Sequence, residues 1–399
     1  MGGAFRIGRL FGIDLAIDWS WGLIFLLMSW NLTAVFHAWH PSWSMVSAFA
    51  LALVAAVLFF GSVVAHELAH ALVAKSFDIK VREIRLFLFG GVSNIEREPP
   101  SPGAEAWMAI VGPLVSFALG MLFIGLASLT LPSIDASDPF ATLSALGPMS
   151  TLFFWLGPIN VFVGLFNLIP GFPLDGGRVL RAAIWKLTGD LHKATFAASA
   201  VGRAFGWTLV LLGIAMAFGA RIPLLGPGPG SGIWLAFIGW FLASAAERSF
   251  GALVVQEVLE GVPVAQLMRR TGLVIPPETS VRAVVNEWFM RSSEHAFPVV
   301  VHGRLLGLVC VGDVRKLAQN AWDTTPVTAI MTPRERLAVV GPGTAAEAAL
   351  RKLAELDVDQ LPVLEGELLV GILSRRDLAR WLELHVGAPR GAAPAPRPA

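Results

Sequence analysis

The chain has 399 residues, of which 55% are hydrophobic and only 15% are charged. Because soluble proteins carry roughly 45–50% apolar and about 25% charged residues, this composition predicts a membrane protein and excludes disorder for most of the chain. A net charge of +1 provides no field that would attract nucleic acid, and the single cysteine, Cys310, excludes a disulfide framework and a multi-cysteine metal site.

Six apolar segments follow one another along residues 1–250, and each is long enough to cross a bilayer. The first is too long for a signal peptide, lacks a small-residue cleavage site and is followed by further spans. We place the segments at about 17–37, 43–65 with a continuation to Ala74, 105–131, 148–169, 198–219 and 231–247. The sequence therefore predicts a polytopic α-helical membrane domain of six transmembrane helices over residues 1–250.

Lysine and arginine cluster in alternate connections between these spans. Basic residues precede the first span and lie between the second and third and between the fourth and fifth, while the other connections almost lack them. By the positive-inside rule, both termini and the C-terminal region are cytoplasmic, and the protein is a multi-pass protein of the cell membrane.

Short apolar runs flank Gly90-Gly91 between the second and third spans, within the segment 82–97. This pattern predicts a β-hairpin. Because backbone at membrane depth is tolerated only against protein or a wet cavity, we interpret the segment as a re-entrant hairpin beside a site. A plain cytoplasmic hairpin is the alternative.

The second span continues into the sequence His66-Glu67-Leu68-Ala69-His70. Two histidines four residues apart share one helical face and can bind one Zn²⁺ through imidazole nitrogen atoms. Glu67 is adjacent and can accept a proton from the attacking water. A polar helix end with solvated histidines is the structural alternative.

A catalytic zinc usually has three protein ligands, so a third ligand is expected from another segment. Asp175 is the candidate, because it follows two prolines that end the fourth span. We predict that Asp175 lies on irregular backbone and that Gly176 and Gly177 permit a tight turn close to another part of the chain. Asp190, in a polar connection, is the weaker candidate.

Two asparagines of the fourth span, Asn160 and Asn167, are seven residues apart and share one helical face. An amide at this position could bind a substrate carbonyl or an oxyanion. An interhelical hydrogen bond is the alternative for each of them.

Together, the H-E-x-x-H sequence, the double-glycine hairpin and the NLIPGFPLDGGR segment resemble the site-2 protease family of intramembrane zinc metalloproteases over about residues 1–250. The resemblance implies that His66, His70 and Asp175 are zinc ligands. It also implies that Glu67 is the catalytic base and that Asn167 helps to position the scissile carbonyl.

The same resemblance implies the substrate, which is a membrane-anchored protein cleaved in or near the bilayer during regulated intramembrane proteolysis. An anti-sigma factor or another single-span protein is an example. The chain departs from many relatives at Asp18, where they have histidine. The alternative function is a transporter or channel regulated by the C-terminal region, but it explains neither the base beside His66 nor the Asp175 segment.

Residues 255–386 contain an internal repeat with a period of about 64 residues. Val262–Met268 resembles Thr325–Met331, and each copy predicts strand, helix, strand, strand, helix. The repeat resembles a tandem pair of cystathionine-β-synthase (CBS) domains, a soluble α/β module. We place the domains at 255–320 and 321–386, followed by a disordered Pro/Ala-rich tail at 387–399.

The CBS resemblance implies an adenine nucleotide as a second ligand. Ser374 and Asp377 fit the family's hydroxyl-x-x-carboxylate pattern for ribose, whereas the first copy has Cys310 and Asp313 at the equivalent positions. The alternative is a packing module without a nucleotide, through which the protein forms a homodimer.

Overall fold

The structure is a computed structural model that describes residues 5–88, 90–95, 98–130, 143–220, 222, 229–270, 273–292 and 294–385. The predicted disordered tail at 387–399 lies outside these residues. The chain divides into two compact units, Met1–Gly251 and Ala252–Ala399. We call them the membrane unit and the C-terminal unit.

In the described part of the membrane unit, seven helices follow one another from its start. They are α1 Trp19–Trp39, α2 Met45–Ser76, α3 Pro102–Thr130, α4 Pro148–Asn167, α5 Asp175–Thr188, α6 Leu191–Ala217 and α7 Pro229–Leu259. All except α5 are long and apolar enough to cross a membrane, which confirms the prediction of six spans. Several helices extend beyond the predicted apolar windows, because a helix can continue into the polar region, as α7 does through Glu247 and Arg248.

The backbone conformation at Asp175 differs from the irregular backbone predicted from the sequence. Asp175 does not lie on irregular backbone but is the first residue of α5, and Gly189, just past the end of α5, is in the left-handed conformation with φ 69°. A carboxylate is favourable in the first turn of a helix, and glycine is the preferred residue just past its end. The prediction failed because the two glycines after Asp175 resemble a turn.

A four-stranded sheet accompanies these helices. Its strands are β1 Phe5–Leu10, β2 Ile13–Ile17, β3 Val81–Phe87 and β4 Gly90–Ile95, in the order β1-β2-β3-β4. The predicted hairpin is present as the antiparallel pair of β3 and β4. The β1–β2 hairpin is not among the predictions from the sequence, to which the chain before α1 contributes only its charge. Its turn places Phe11 and Gly12 at positive φ.

One face of this sheet packs on the half of α2 that carries the H-E-x-x-H sequence. Ile13, Leu15 and Ile84 are buried there against Ala71 of α2 and Met108 of α3. Burial of an aliphatic side chain contributes about 1.5–3 kcal/mol, so the cluster fixes the sheet beside the helix. The hairpin therefore lies next to the candidate site, while its depth in the bilayer stays a prediction.

The C-terminal unit contains a second sheet with the strand order β5-β6-β9-β8, and a short β7 pairs with β6. The strands are β5 Ala296–Val301, β6 Arg304–Cys310, β7 Thr332–Pro333, β8 Gln360–Glu365 and β9 Leu368–Ser374. Each repeat supplies one hairpin, β5–β6 or β8–β9, as the turn signals predicted. A helix at Ala346–Glu355 precedes the second hairpin, and another at Arg375–His385 follows it.

The two repeats exchange their leading segments. Val264 lies in the core of the second copy, and its N–H donates to Thr344 O at 2.8 Å. Val327 lies in the core of the first copy, and its N–H donates to Thr279 O at 2.8 Å. The copies are consecutive in sequence but share their cores in space, so each copy needs the other to bury its apolar residues.

Candidate active site

His66, His70 and Asp175 converge on one point. His66 and His70 lie one turn apart on α2, and their Nε2 atoms are 3.2 Å apart. Asp175 Oδ2, from α5, lies 3.1 Å from His66 Nε2 and 3.2 Å from His70 Nε2. Within the described residues, this is the one group of three or more His, Cys, Asp or Glu side chains close enough to share a metal ion.

The other nitrogen of each imidazole has a partner in α3. His70 Nδ1 lies 2.5 Å from Met108 O, and because a carbonyl can only accept, Nδ1 is the donor. Loss of the proton on Nε2 would leave a lone pair there that can bind a metal ion. His66 Nδ1 lies 2.9 Å from Ser116 Oγ. Such outer partners fix the ring orientation of metal-binding histidines, so the donor set fits a zinc ion.

Asp175 is present as a carboxylate. Its burial acts to raise the pKa, but the hydrogen bonds with His66 and His70 outweigh this effect and hold the pKa of Asp175 well below its usual value. The ligand set therefore contains two imidazoles and one anionic oxygen, which is a common set for catalytic zinc.

Gly112 of α3 provides the space in which these side chains meet. A Cβ atom at Gly112 would lie 2.2 Å from His70 Nε2 and 2.7 Å from His66 Nε2. No side chain fits at this position without displacing both imidazoles. Neither Gly112 nor Ser116 is predicted from the sequence as part of the site, although both lie in the third predicted span.

We expect the substitution Gly112→Ala to abolish stoichiometric zinc binding, because the new methyl group clashes with both Nε2 atoms. The zinc affinity should fall by about 100-fold or more, beyond the 10–100-fold typical for loss of an outer partner. Metal analysis of the purified chain measures this. Gly125→Ala in the same helix is the matched control, since nothing lies within 4 Å of its Cβ position, and it should keep its zinc.

Glu67 lies against the β3–β4 hairpin. Ser93 Oγ donates to Glu67 Oε2 at 2.8 Å, and a Cβ atom on Gly91 would lie only 2.4 Å from Glu67 Cγ. The backbone of β4 therefore passes directly over the glutamate, and this explains a glycine at position 91. The sequence predicted the hairpin and the glutamate, but it did not predict that Ser93 joins them.

The double glycine after Asp175 has a different role from the predicted one. A Cβ atom on Gly176 would lie 2.3 Å from Leu168 O, and one on Gly177 would lie 2.3 Å from the Gly171 carbonyl carbon. The glycines allow the first turn of α5 to pack against the preceding loop, rather than forming a turn themselves. The predicted close approach to another part of the chain is correct.

The weaker ligand candidate, Asp190, is not part of the cluster. Its Oδ1 accepts from Lys193 N at 3.0 Å and caps the start of α6. Asn160 and Asn167 each donate Nδ2 to the carbonyl four residues earlier in α4, at 2.8 and 3.0 Å. Neither makes an interhelical hydrogen bond within the described part of the chain, and the catalytic role of Asn167 stays a prediction.

In the C-terminal unit, Ser374 and Asp377 contact each other. Asp377 Oδ2 accepts from Ser374 Oγ at 2.6 Å and from Ser374 N at 2.9 Å, and Asp377 Oδ1 pairs with Arg269 Nε at 3.0 Å. Cys310 and Asp313 repeat the arrangement, with Cys310 N donating to Asp313 Oδ2 at 3.1 Å. In each copy the pair also caps a helix, so the pattern has a structural role besides the predicted nucleotide site.

An open cleft with a cavity volume of about 170 Å³ adjoins Arg269 between the two copies. It is lined by Arg269, Arg270, Glu294, Phe297, Gln360 and Ile372, among others.

The fold and the cluster define a class: a multi-pass membrane protein in which a two-histidine, one-aspartate site lies beside a glutamate. Comparison with known proteins gives the family. The model of peptidase family M50 matches residues 54–211, and the CBS domain model matches residues 264–320 and 327–384.

Relatives match most of the chain. Zinc metalloprotease Rip3 of Mycobacterium tuberculosis is 32% identical over 388 residues, which cover 96% of this chain and 93% of that protein. A zinc metalloprotease of Methanocaldococcus jannaschii is 29% identical over 328 residues, covering 82% and 84%. The solved structure of a site-2 protease from M. jannaschii is 27% identical and covers 62% of this chain and 95% of that one, with a TM-score of 0.42.

The chain therefore belongs to peptidase family M50, the site-2 proteases, and carries a tandem pair of CBS domains. It is a zinc metalloprotease and a multi-pass membrane protein, and its substrates are membrane proteins. Membership in this family confirms the predicted enzyme and sets aside the alternative of a transporter or channel.

Proposed function

We propose that His66, His70 and Asp175 hold one catalytic zinc ion and that Glu67 is the general base for cleavage of a membrane-anchored protein. The observation that carries this proposal is the convergence of Asp175 Oδ2 with both imidazole Nε2 atoms. Glu67 follows His66 directly in α2, next to that point.

Zinc, when bound, polarises the scissile carbonyl and makes a water molecule more acidic. Glu67 takes one proton from the attacking water and delivers it to the departing amine as the C–N bond breaks, so one water is consumed for each peptide bond. The hydrogen bond from Ser93 orients the carboxylate for both transfers. Asn167 is proposed to hold the scissile carbonyl.

A helical substrate must unwind locally, because its carbonyls are hydrogen-bonded within the helix. We propose that the unwound segment pairs with β4, which is a terminal strand of its sheet. The backbone at Gly91 of β4 packs against the side chain of Glu67. A substrate strand paired with β4 would therefore bring its peptide bonds close to the base.

The substrate is proposed to be a single-span protein, such as an anti-sigma factor. A substrate-trapping experiment tests this proposal. A full-length Glu67→Gln chain should keep uncleaved substrate bound, and crosslinking followed by mass spectrometry should identify single-span proteins that the unmodified chain does not retain. Recovery of the same proteins with both chains would contradict the proposal.

We expect reporter fusions to place both termini and the CBS domains in the cytoplasm, because lysine and arginine cluster in alternate connections. Fusions at 137 and 228 should report an external position, and fusions at 189 and 387 an internal one. Positions 137, 228 and 387 lie outside the described residues. An external signal at 387 would contradict the proposed orientation.

The CBS pair is proposed to bind an adenine nucleotide in the cleft beside Asp377 and to bias proteolysis. A ribose there must replace the bonds that Asp377 makes with Ser374 and Arg269. A nucleotide shifts activity only through different affinities for two states of the enzyme, typically about 5–150-fold. A homodimerisation module without a nucleotide is the second candidate.

We expect ATP, ADP or AMP to bind the full-length chain below millimolar concentration and to change its cleavage rate. Asp377→Ala should abolish binding, because the ribose loses its acceptor. Calorimetry measures the affinity, and the exposed Asp359 provides a matched control as Asp359→Ala. If no nucleotide binds, or if binding leaves cleavage unchanged, dimerisation becomes the better explanation.

A further inference from the structure

Arg181 is a buried arginine in the helix that begins with Asp175. Only 6% of Arg181 is exposed. Its guanidinium donates to Glu105 at the start of α3 and, at 2.8 Å, to Glu98 in the segment before α3. It also lies over the Phe172 ring, 5.4 Å from the centroid.

A buried arginine is unfavourable unless its charge is paired, and an apolar side chain would pack α5 against α3 at least as well. A planar guanidinium, however, can pair with two carboxylates and stack on an aromatic ring at the same time. Arg181 does all three, and it thereby fixes α5, α3 and the loop before Asp175 in one arrangement.

The contacts of Arg181 lie on both sides of the metal ligand. Phe172 precedes Asp175 in the loop that follows α4, and Arg181 itself lies further along α5. The backbone around Asp175 is therefore held at both ends by one side chain.

Helix α3 is also the element that contacts the two histidines. Met108 O and Ser116 Oγ bond their Nδ1 atoms, and Gly112 makes room for their Nε2 atoms. Asp175 is the only one of the three ligands that α2 does not carry, so its place relative to the histidines depends on how α5 packs on α3. Arg181 sets that packing through Glu105.

We propose that Arg181 is a positioning residue that places Asp175 at the zinc site through its contacts with Glu105, Glu98 and Phe172. This inference rests on the proposed zinc site. Arg181 touches neither zinc nor substrate; it determines how well the third ligand is presented.

Zinc affinity of the purified full-length chain tests the inference. Arg181→Met should weaken zinc binding about 10–100-fold, as loss of an outer partner does at other sites, and Arg181→Lys should be intermediate because an ammonium cannot span both glutamates and stack. Lys186→Met, an exposed charge on the same helix, should match the unmodified chain. Competition with a chromophoric chelator measures the affinity.

Two further readouts distinguish a positioning role of Arg181 from a purely structural one. Excess zinc should restore most of the cleavage rate of Arg181→Met, since the defect is one of metal occupancy. In an Asp175→Asn chain, adding Arg181→Met should cause no further loss of zinc affinity, because the residue it positions is already gone. If Arg181→Met does not fold, Arg181→Lys and Phe172→Leu replace it, and each should weaken zinc binding several-fold.

Two results would overturn the inference alone: folded Arg181 variants with unchanged zinc affinity, or an equal loss of affinity in the Asp175→Asn background. An unmodified chain that binds no zinc would overturn the proposed function, and this inference with it.

Discussion

Replacing Glu67 with glutamine is expected to abolish peptide-bond cleavage while the chain keeps its zinc. The amide has the shape of the carboxylate and can still accept the hydrogen bond from Ser93, but it cannot take a proton from water at neutral pH. General-base catalysis typically contributes 10²–10⁴-fold, so we expect the cleavage rate to fall by about that factor.

The measurement pairs metal analysis with the single-turnover cleavage of a single-span substrate by the purified chain. Glu247→Gln is the matched control, because Glu247 is exposed on α7. It should leave both the zinc content and the rate unchanged. A Glu67→Gln chain that cleaves at more than a tenth of the unmodified rate would exclude Glu67 as the base.

Removing a zinc ligand is expected to reduce cleavage by an equally large factor. Unlike Glu67→Gln, such a variant should also lose its zinc. In Asp175→Ala, two imidazoles remain without the anionic oxygen that now lies 3.1 and 3.2 Å from their Nε2 atoms. Zinc sites with two protein ligands are weak, since catalytic sites normally use three. Both the zinc content and the cleavage activity should therefore be lost, and His66→Ala should behave in the same way.

Asp190→Ala provides the control for this prediction. Asp190 is the other aspartate that the sequence offered, and it caps α6 instead of joining the cluster. Its loss should weaken the start of α6 and leave one zinc ion per chain. Retention of zinc by Asp175→Ala together with its loss from Asp190→Ala would reverse the assignment of the third ligand.

The parts of the site that the sequence predicted are those with a local signal. His66 and His70 follow from helical spacing, and Asp175 follows from the end of the fourth apolar span. Gly112, Ser116 and the other partners of these residues come from different elements and meet them only through tertiary packing. A single sequence carries no signal for such contacts.

A local sequence pattern led to a wrong prediction where two different local structures can use the same residue types. The two glycines after Asp175 suggested a turn, but helix α5 uses them to approach the loop before it. The packing of that loop selects the helical geometry. Ser374 and Asp377 form a helix cap, and their role in binding ribose stays a prediction.

The most direct test of the zinc site is X-ray absorption at the zinc K-edge of the purified full-length chain. The ligand set of His66, His70 and Asp175 predicts a first shell of nitrogen and oxygen at about 2.0–2.1 Å, with outer scattering from two imidazoles and no sulfur. His66→Ala should remove one imidazole from any residual zinc signal. A sulfur shell near about 2.3 Å, or two imidazoles still bound to zinc in His66→Ala, would contradict the site.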